Sequence, residues 1–118
     1  LTESVFLQGF ENNVFNYLNN AKCLVMPSLY ENPGHVLIEA AACNCPIISS
    51  DCPTGPIEIL MNGKAGYLFG VNNSEEFIRS FENFLNYKNK KSMLLNAKKK
   101  SKNYTLPRHY FNLQNIIY

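Results

Sequence analysis

Two short apolar runs, Cys23–Met26 and Pro46–Ser49, are separated by a stretch too long for a hairpin and patterned like a helix. The residues Asn32, Pro33 and Gly34 make a turn, and the run His35–Cys43 that follows is apolar or small at every position after His35 except Glu39. Strands joined through a helix pair in parallel, because the crossover carries the chain back to the end from which it left. Continuous apolar runs, rather than alternating ones, are what strands carry when both faces of such a sheet are covered. The same order then repeats with the turn Asp51–Gly55, a helix with Pro56 at its first position, and a short strand at Tyr67–Phe69. The expected fold class is α/β, a Rossmann-like doubly wound parallel sheet, whose ligands bind beyond the carboxyl ends of the strands.

Candidate chemistry gathers at that rim. A helix starting near His35 points its first N–H groups and the positive end of its dipole out of the turn, which makes an anion site. Pro33 supplies no donor, so the amides of Gly34, His35 and Val36 would carry the site, with Gly34 free to turn at positive φ. Thr54 and Gly55, before the next helix, offer a second set at the same rim. Glu31 lies just before the turn and Glu39 about one helical turn deeper. A lone carboxylate in so apolar a helix needs a partner, because uncompensated burial costs several kcal/mol; that partner is either a ligand or solvent on the wet side of the helix. Glu58, in the first turn of the following helix, either binds ligand or complements the dipole. His35 is either a donor to a phosphate or hydroxyl, or an exposed polar residue at a helix start.

The spacing Glu31-x7-Glu39, the run from Glu39 through Cys43-Asn44-Cys45-Pro46 to Asp51, and Gly55-Pro56-x-Glu58 together resemble the donor-binding half of retaining GT-B glycosyltransferases of the large family 4 group. The likeness runs from about Val5 to Phe69. Asn32-Pro33-Gly34-His35 departs from the family's commonest Gly-Phe-Gly wording, and Asn44 stands where Gly is usual; Asn also tolerates the left-handed position after a helix. The resemblance implies a nucleotide sugar, a UDP-sugar by the wording Asp51-Cys52-Pro53-Thr54-Gly55-Pro56, with no other cofactor and no metal. It places the donor near Gly9, Ser28 and Gly34, with Glu39 on the ribose hydroxyls, Glu31 at the transferred sugar as the catalytic carboxylate, and the diphosphate on the amides of Gly34 to Val36. The acceptor would be a glycan or a lipid-linked glycan. It also implies that residues 1–118 form part of the C-terminal domain, that an acceptor-binding N-terminal domain and a diphosphate-binding Arg and Lys lie elsewhere, and that this piece alone is inactive. In the family's strand order 3-2-1-4-5-6, Val5–Gly9 would be strand three. A sugar-nucleotide epimerase of the same fold and a non-catalytic nucleotide-sugar-binding module are the alternatives.

The remaining sequence narrows the class. With 46% hydrophobic residues, eight Phe and seven Tyr, 118 residues can bury one core. Cys23, Cys43, Cys45 and Cys52 fall in or beside buried elements and lack the spacing of a zinc knuckle, so they read as reduced structural thiols in a cytoplasmic setting. Asn12 or Asn13 is expected to cap a helix with Val14, Phe15, Leu18 and Ala21 on one face. From Ser74, the residues Phe77, Ile78, Phe81, Phe84 and Leu85 describe an amphipathic packing helix. Tyr87–Lys102 holds seven of the eleven basic residues and no acid, so the rest, with four basic and nine acidic residues, carries −5. Such a helix is a solvated face or a peripheral contact for a membrane surface. Tyr110, Leu113 and Ile117 form a docking stripe after Pro107. Positive charge confined to one segment, without a zinc or RNP-like motif, argues against nucleic acid.

Overall fold

The computed structural model describes residues 2–117, the side chains of 2 and 117 excepted. Three strands, β1 (Leu24–Met26), β2 (Ile47–Ser50) and β3 (Tyr67–Phe69), form one sheet in the order β1-β2-β3. Both pairings are parallel, with Val25 opposite Ile48 and Ser49 opposite Leu68. The β1–β2 crossover passes through α2 (His35–Ala42) and the β2–β3 crossover through the single-turn α3 (Pro56–Ile59). Helix α1 (Phe15–Asn20) precedes the sheet; α4 (Ser74–Asn86), α5 (Lys91–Ser101), a 3₁₀ turn at Lys102–Tyr104 and α6 (Leu106–Ile117) follow it.

Every residue of β2 is buried, as its sequence requires of a central strand covered on both faces. Ile47 joins Leu37, Ala40, Ala41, Ile59, Leu60 and Ala97 on the face covered by α2, α3 and α5, whereas Ile48 joins Phe69 and Phe84 beneath α4. Consecutive residues point to opposite faces of a strand, so two adjacent isoleucines serve two cores. Full burial of each such side chain is worth about 1.5–3 kcal/mol. The lysine-rich α5 is therefore more than a solvated face: Ala97 and Ser101 are buried while Lys98 and Lys99 stay outside.

Local signals hold where the expected motifs stand. Helix α2 ends in a Schellman closure, with the Asn44 N–H donating to the Ala41 carbonyl at 3.3 Å and the Cys45 N–H to that of Ala40 at 2.9 Å. Asn44 takes the left-handed conformation at φ 56°, the role expected of it in place of Gly. Asn73 caps α4 by accepting from the Glu76 N–H at 3.0 Å. All four cysteines are free, with Cys45 and Cys52 buried.

Four expectations are corrected. Val5–Gly9 is no strand, because no strand among the described residues lies beside it to supply a ladder; Leu7 is 97% and Phe10 91% exposed. Neither Asn12 nor Asn13 caps α1: Val14 takes the cap position and its carbonyl accepts from Tyr17 and Leu18. In α4 the buried stripe is narrower than the pattern suggests, since Ile78 and Leu85 are exposed while Phe77, Phe81 and Phe84 pack. On α6, Tyr110 and Leu113 are exposed rather than docked, and the Ile117 side chain of the expected stripe lies outside those described.

Candidate functional site

Beyond the carboxyl ends of β1 and β2, two loops are braced against each other. Ser50, the last residue of β2, donates its hydroxyl to the Ser28 carbonyl at 2.5 Å, and the Ser28 hydroxyl in turn donates to Glu31 Oε1 at 2.6 Å. Thr54, in the loop after β2, donates its hydroxyl to the backbone carbonyl of Glu31. Of these, only the Ser28 bond reaches the carboxylate itself, and a short bond to a carboxylate oxygen fixes the side chain more firmly than a bond to a neutral acceptor does. The Glu31 side chain is half-buried and held from below, which leaves its other oxygen toward the start of α2.

Glycine is needed at two points of this cradle. Gly34 caps α2 at φ 86° and ψ 62°, a left-handed conformation that other residues reach only with strain. A Cβ there would lie 3.6 Å from Glu31 Oε2 and 3.4 Å from Leu37 Cδ1, so the carboxylate sits immediately beside the helix start. Gly55 has φ 136°, and a Cβ on it would overlap the Pro33 carbonyl oxygen and come within 2.8 Å of the Pro33 carbonyl carbon. The loop Asn32-Pro33-Gly34 thus rests directly on Thr54-Gly55. The Leu37 N–H returns to the Gly34 carbonyl at 3.0 Å and no side chain caps α2. His35 and Val36 precede the first intrahelical bond, so their N–H groups face out of the helix end. His35 is exposed and Val36 half-buried.

One cradle therefore brings together Glu31, Asn32, Pro33, Gly34, His35, Val36, Thr54 and Gly55. Glu39 stands apart. One turn along α2, it lines a separate groove of about 340 Å³ with Phe15 of α1, Ile38, Lys98 of α5 and Lys102 of the 3₁₀ turn that follows it. Gly9, expected near the same ligand, has no atom near enough to meet an added Cβ and touches neither group.

Glu58 turns away from the rim. It accepts from Tyr104 at 2.8 Å and from Lys100 at 3.1 Å, which ties α3 to the C-terminal helices. The Tyr104 bond and then the Lys100 contacts hold its carboxyl below the usual range, while burial and that same bond push Tyr104 up to about 12. Asp51 accepts from the Val71 N–H at 3.1 Å and links the loops after β2 and β3. Ser50 is the supporting residue the sequence reading passed over. Its signal is two consecutive serines in a strand buried at every position, where each hydroxyl must find a partner.

Residues 1–101 match the family described as glycosyl transferases group 1. An uncharacterized glycosyltransferase of Methanocaldococcus jannaschii is 45% identical over 60 residues, which is 51% of this chain and 15% of that protein. The N-acetylgalactosamine-N,N'-diacetylbacillosaminyl-diphospho-undecaprenol 4-alpha-N-acetylgalactosaminyltransferase of Campylobacter jejuni is 31% identical over 97 residues, 76% of this chain and 27% of that protein. The crystal structure of TarM shares the fold at a TM-score of 0.79 and 24% identity, over 98% of this chain and 24% of that one. The 118 residues thus span about a quarter or less of the proteins they resemble.

Proposed function

This chain belongs to the group 1 glycosyl transferases, and from that premise we propose that it supplies the donor half of a retaining enzyme moving a sugar from a nucleotide sugar to a glycan or lipid-linked acceptor. The observation that carries the reading is Glu31 held beside the open N-terminus of α2, with Ser28 and Thr54 as braces. An anion-binding helix end next to a fixed carboxylate suits a ligand with a diphosphate at one end and vicinal hydroxyls at the other.

In this reading the amides of Gly34, His35 and Val36 meet the diphosphate and stabilise the charge that grows on it as the glycosidic bond breaks. Glu31 accepts from hydroxyls of the transferred sugar and lies toward its anomeric face. Glu39, across its groove from Lys98 and Lys102, takes the ribose hydroxyls of the nucleoside, a UDP in the favoured case. A helix dipole is worth roughly 0.3–1 kcal/mol, against the roughly 8–23 kcal/mol by which enzymes lower barriers. The rest of the stabilisation comes from cationic groups outside these residues, which makes the 118-residue piece inactive by itself. The Campylobacter relative names a diphospho-undecaprenol acceptor, which favours a lipid-linked acceptor and work at the cytoplasmic face of a membrane. No described helix is long and apolar enough to cross one.

The reading is tested with Glu39→Gln in the full-length protein, using calorimetry with UDP and with other nucleoside diphosphates. The expected outcome is weaker nucleotide binding by about 1.5–3 kcal/mol, the worth of a charge-assisted hydrogen bond. Unchanged affinity would remove Glu39 from the ribose.

A further inference from the structure

Ser50 closes β2 with its side chain buried, only 1% exposed, so substrate does not reach it. A buried hydroxyl needs a hydrogen-bond partner, and its neighbour Ser49 finds one within the strand by donating to the Ser50 carbonyl at 3.0 Å. The Ser50 hydroxyl instead reaches across 22 positions of sequence to the Ser28 carbonyl at 2.5 Å.

Chemistry fixes the direction of these bonds. A backbone carbonyl and an ionised carboxylate only accept, and each serine has one proton to give. Ser50 therefore gives its proton to the Ser28 carbonyl, and Ser28 gives its own to Glu31 Oε1 at 2.6 Å. The first bond holds the Ser28 backbone and with it the direction of the Ser28 hydroxyl; the second holds the carboxylate. Thr54, in the loop that leaves β2, pins the Glu31 carbonyl. The backbone at both Ser28 and Glu31 is thus anchored to β2 and its loop, and the carboxylate is caught between the two anchors. With Oε1 turned onto Ser28, Oε2 is the oxygen beside the start of α2, where a Cβ on Gly34 would lie 3.6 Å from it.

We propose that Ser50 is a positioning residue for Glu31, acting through Ser28: without touching substrate, it sets which carboxylate oxygen faces the helix start. The inference rests on the donor reading of the cradle and adds to it a residue at the end of β2. A carboxylate released by Ser28 rotates about its last side-chain bond and leaves the reactive orientation, and a misplacement near 1 Å costs up to about a hundredfold in rate.

The test is a double-mutant cycle in the full-length protein. It follows UDP release from UDP-glucose, UDP-galactose and UDP-N-acetylglucosamine with water as acceptor, and UDP affinity by calorimetry. Ser50→Ala and Ser28→Ala are each expected to lower kcat about tenfold on the best of the three donors, with UDP affinity within about threefold of the parent. Ser28→Thr keeps the hydroxyl and should restore kcat to within about threefold. In the Glu31→Ala background neither serine change should cost more than about twofold further, because residues acting through one group are not additive. A serine that merely props the loop would cost its tenfold there as well. Should the buried Ser50→Ala not fold, Ser28→Ala, at a half-buried site, decides in its place. The proposal alone is overturned if Glu31→Ala lowers kcat while Ser50→Ala does not, if the Ser50→Ala loss persists undiminished in the Glu31→Ala background, or if UDP affinity falls as far as kcat. It is overturned together with the donor reading if the parent releases UDP from none of the three donors, or if Glu31→Ala leaves kcat unchanged.

Discussion

Leu37 and Leu7 are the same residue in opposite surroundings: one is 0% exposed beneath the Glu31 cradle, the other 97% exposed in the N-terminal segment. The contrast extends to whole regions. Between Leu24 and Phe69 the buried core residues of the sheet and of α2 and α3 meet faces that cover them, with Val25, Leu29, Tyr30 and Ile57 left at the surface, whereas Val5, Phe6, Leu7 and Phe10 at one end, and Leu106, Tyr110 and Ile116 at the other, stay open. The difference teaches that hydrophobicity proposes burial and a partner decides it. A strand needs a neighbour's ladder, and an amphipathic helix needs a second apolar surface.

The sharpest break in this contrast is Gly55→Ala. The added Cβ has no room beside the Pro33 carbonyl, and φ 136° is closed to Ala without strain. A loss of about 3 kcal/mol or more is expected in denaturant unfolding of the full-length protein, since overlap adds to a strain of roughly 1–3 kcal/mol. A loss below about 1 kcal/mol would mean that the two loops do not rest on each other as described.

A smaller effect comes from pH. The folded pKa of Tyr104, at about 12, lies above its ordinary value near 10, so the neutral phenol is the form that the fold favours. Its stabilisation is complete below about pH 10 and is lost as pH rises toward 12, because the unfolded chain ionises first. The stability advantage of the parent over Tyr104→Phe should therefore shrink across that interval. A constant difference would show that the Glu58–Tyr104 bond does not form in solution.

The smallest effect is expected in the open region. In the 118-residue chain alone, Leu7→Ser should change unfolding stability by no more than about 0.5 kcal/mol, as at other uncovered surface sites, and should reduce self-association by interrupting an exposed apolar patch. A loss of several kcal/mol in that chain would mean that Leu7 is covered within it.

What could be read from the sequence divides along the same line. The end of α2 at Asn44, Pro56 at the first position of α3, and the Pro33-Gly34 turn are written in adjacent residues, because caps and turns are decided by local backbone chemistry. The cradle was legible for the same reason, since Glu31, Gly34 and the α2 amides sit within a few positions of one another. Glu58 was not, because its partners lie 42 and 46 residues away. Nor was Val5–Gly9, whose strand-like composition says nothing of whether a neighbouring strand is present.

The central claim is that the carboxylate beside α2 acts on the sugar rather than on the nucleotide. Glu31→Ala in the full-length protein measures it, with kcat followed on the nucleotide sugar and affinity followed on the bare nucleoside diphosphate. The account predicts a fall in kcat of about a hundredfold or more, equivalent to roughly 2.7 kcal/mol of transition-state stabilisation, with diphosphate affinity changed less than about threefold. Equal losses in turnover and in diphosphate affinity would contradict it, and would assign Glu31 to holding the loop rather than the substrate.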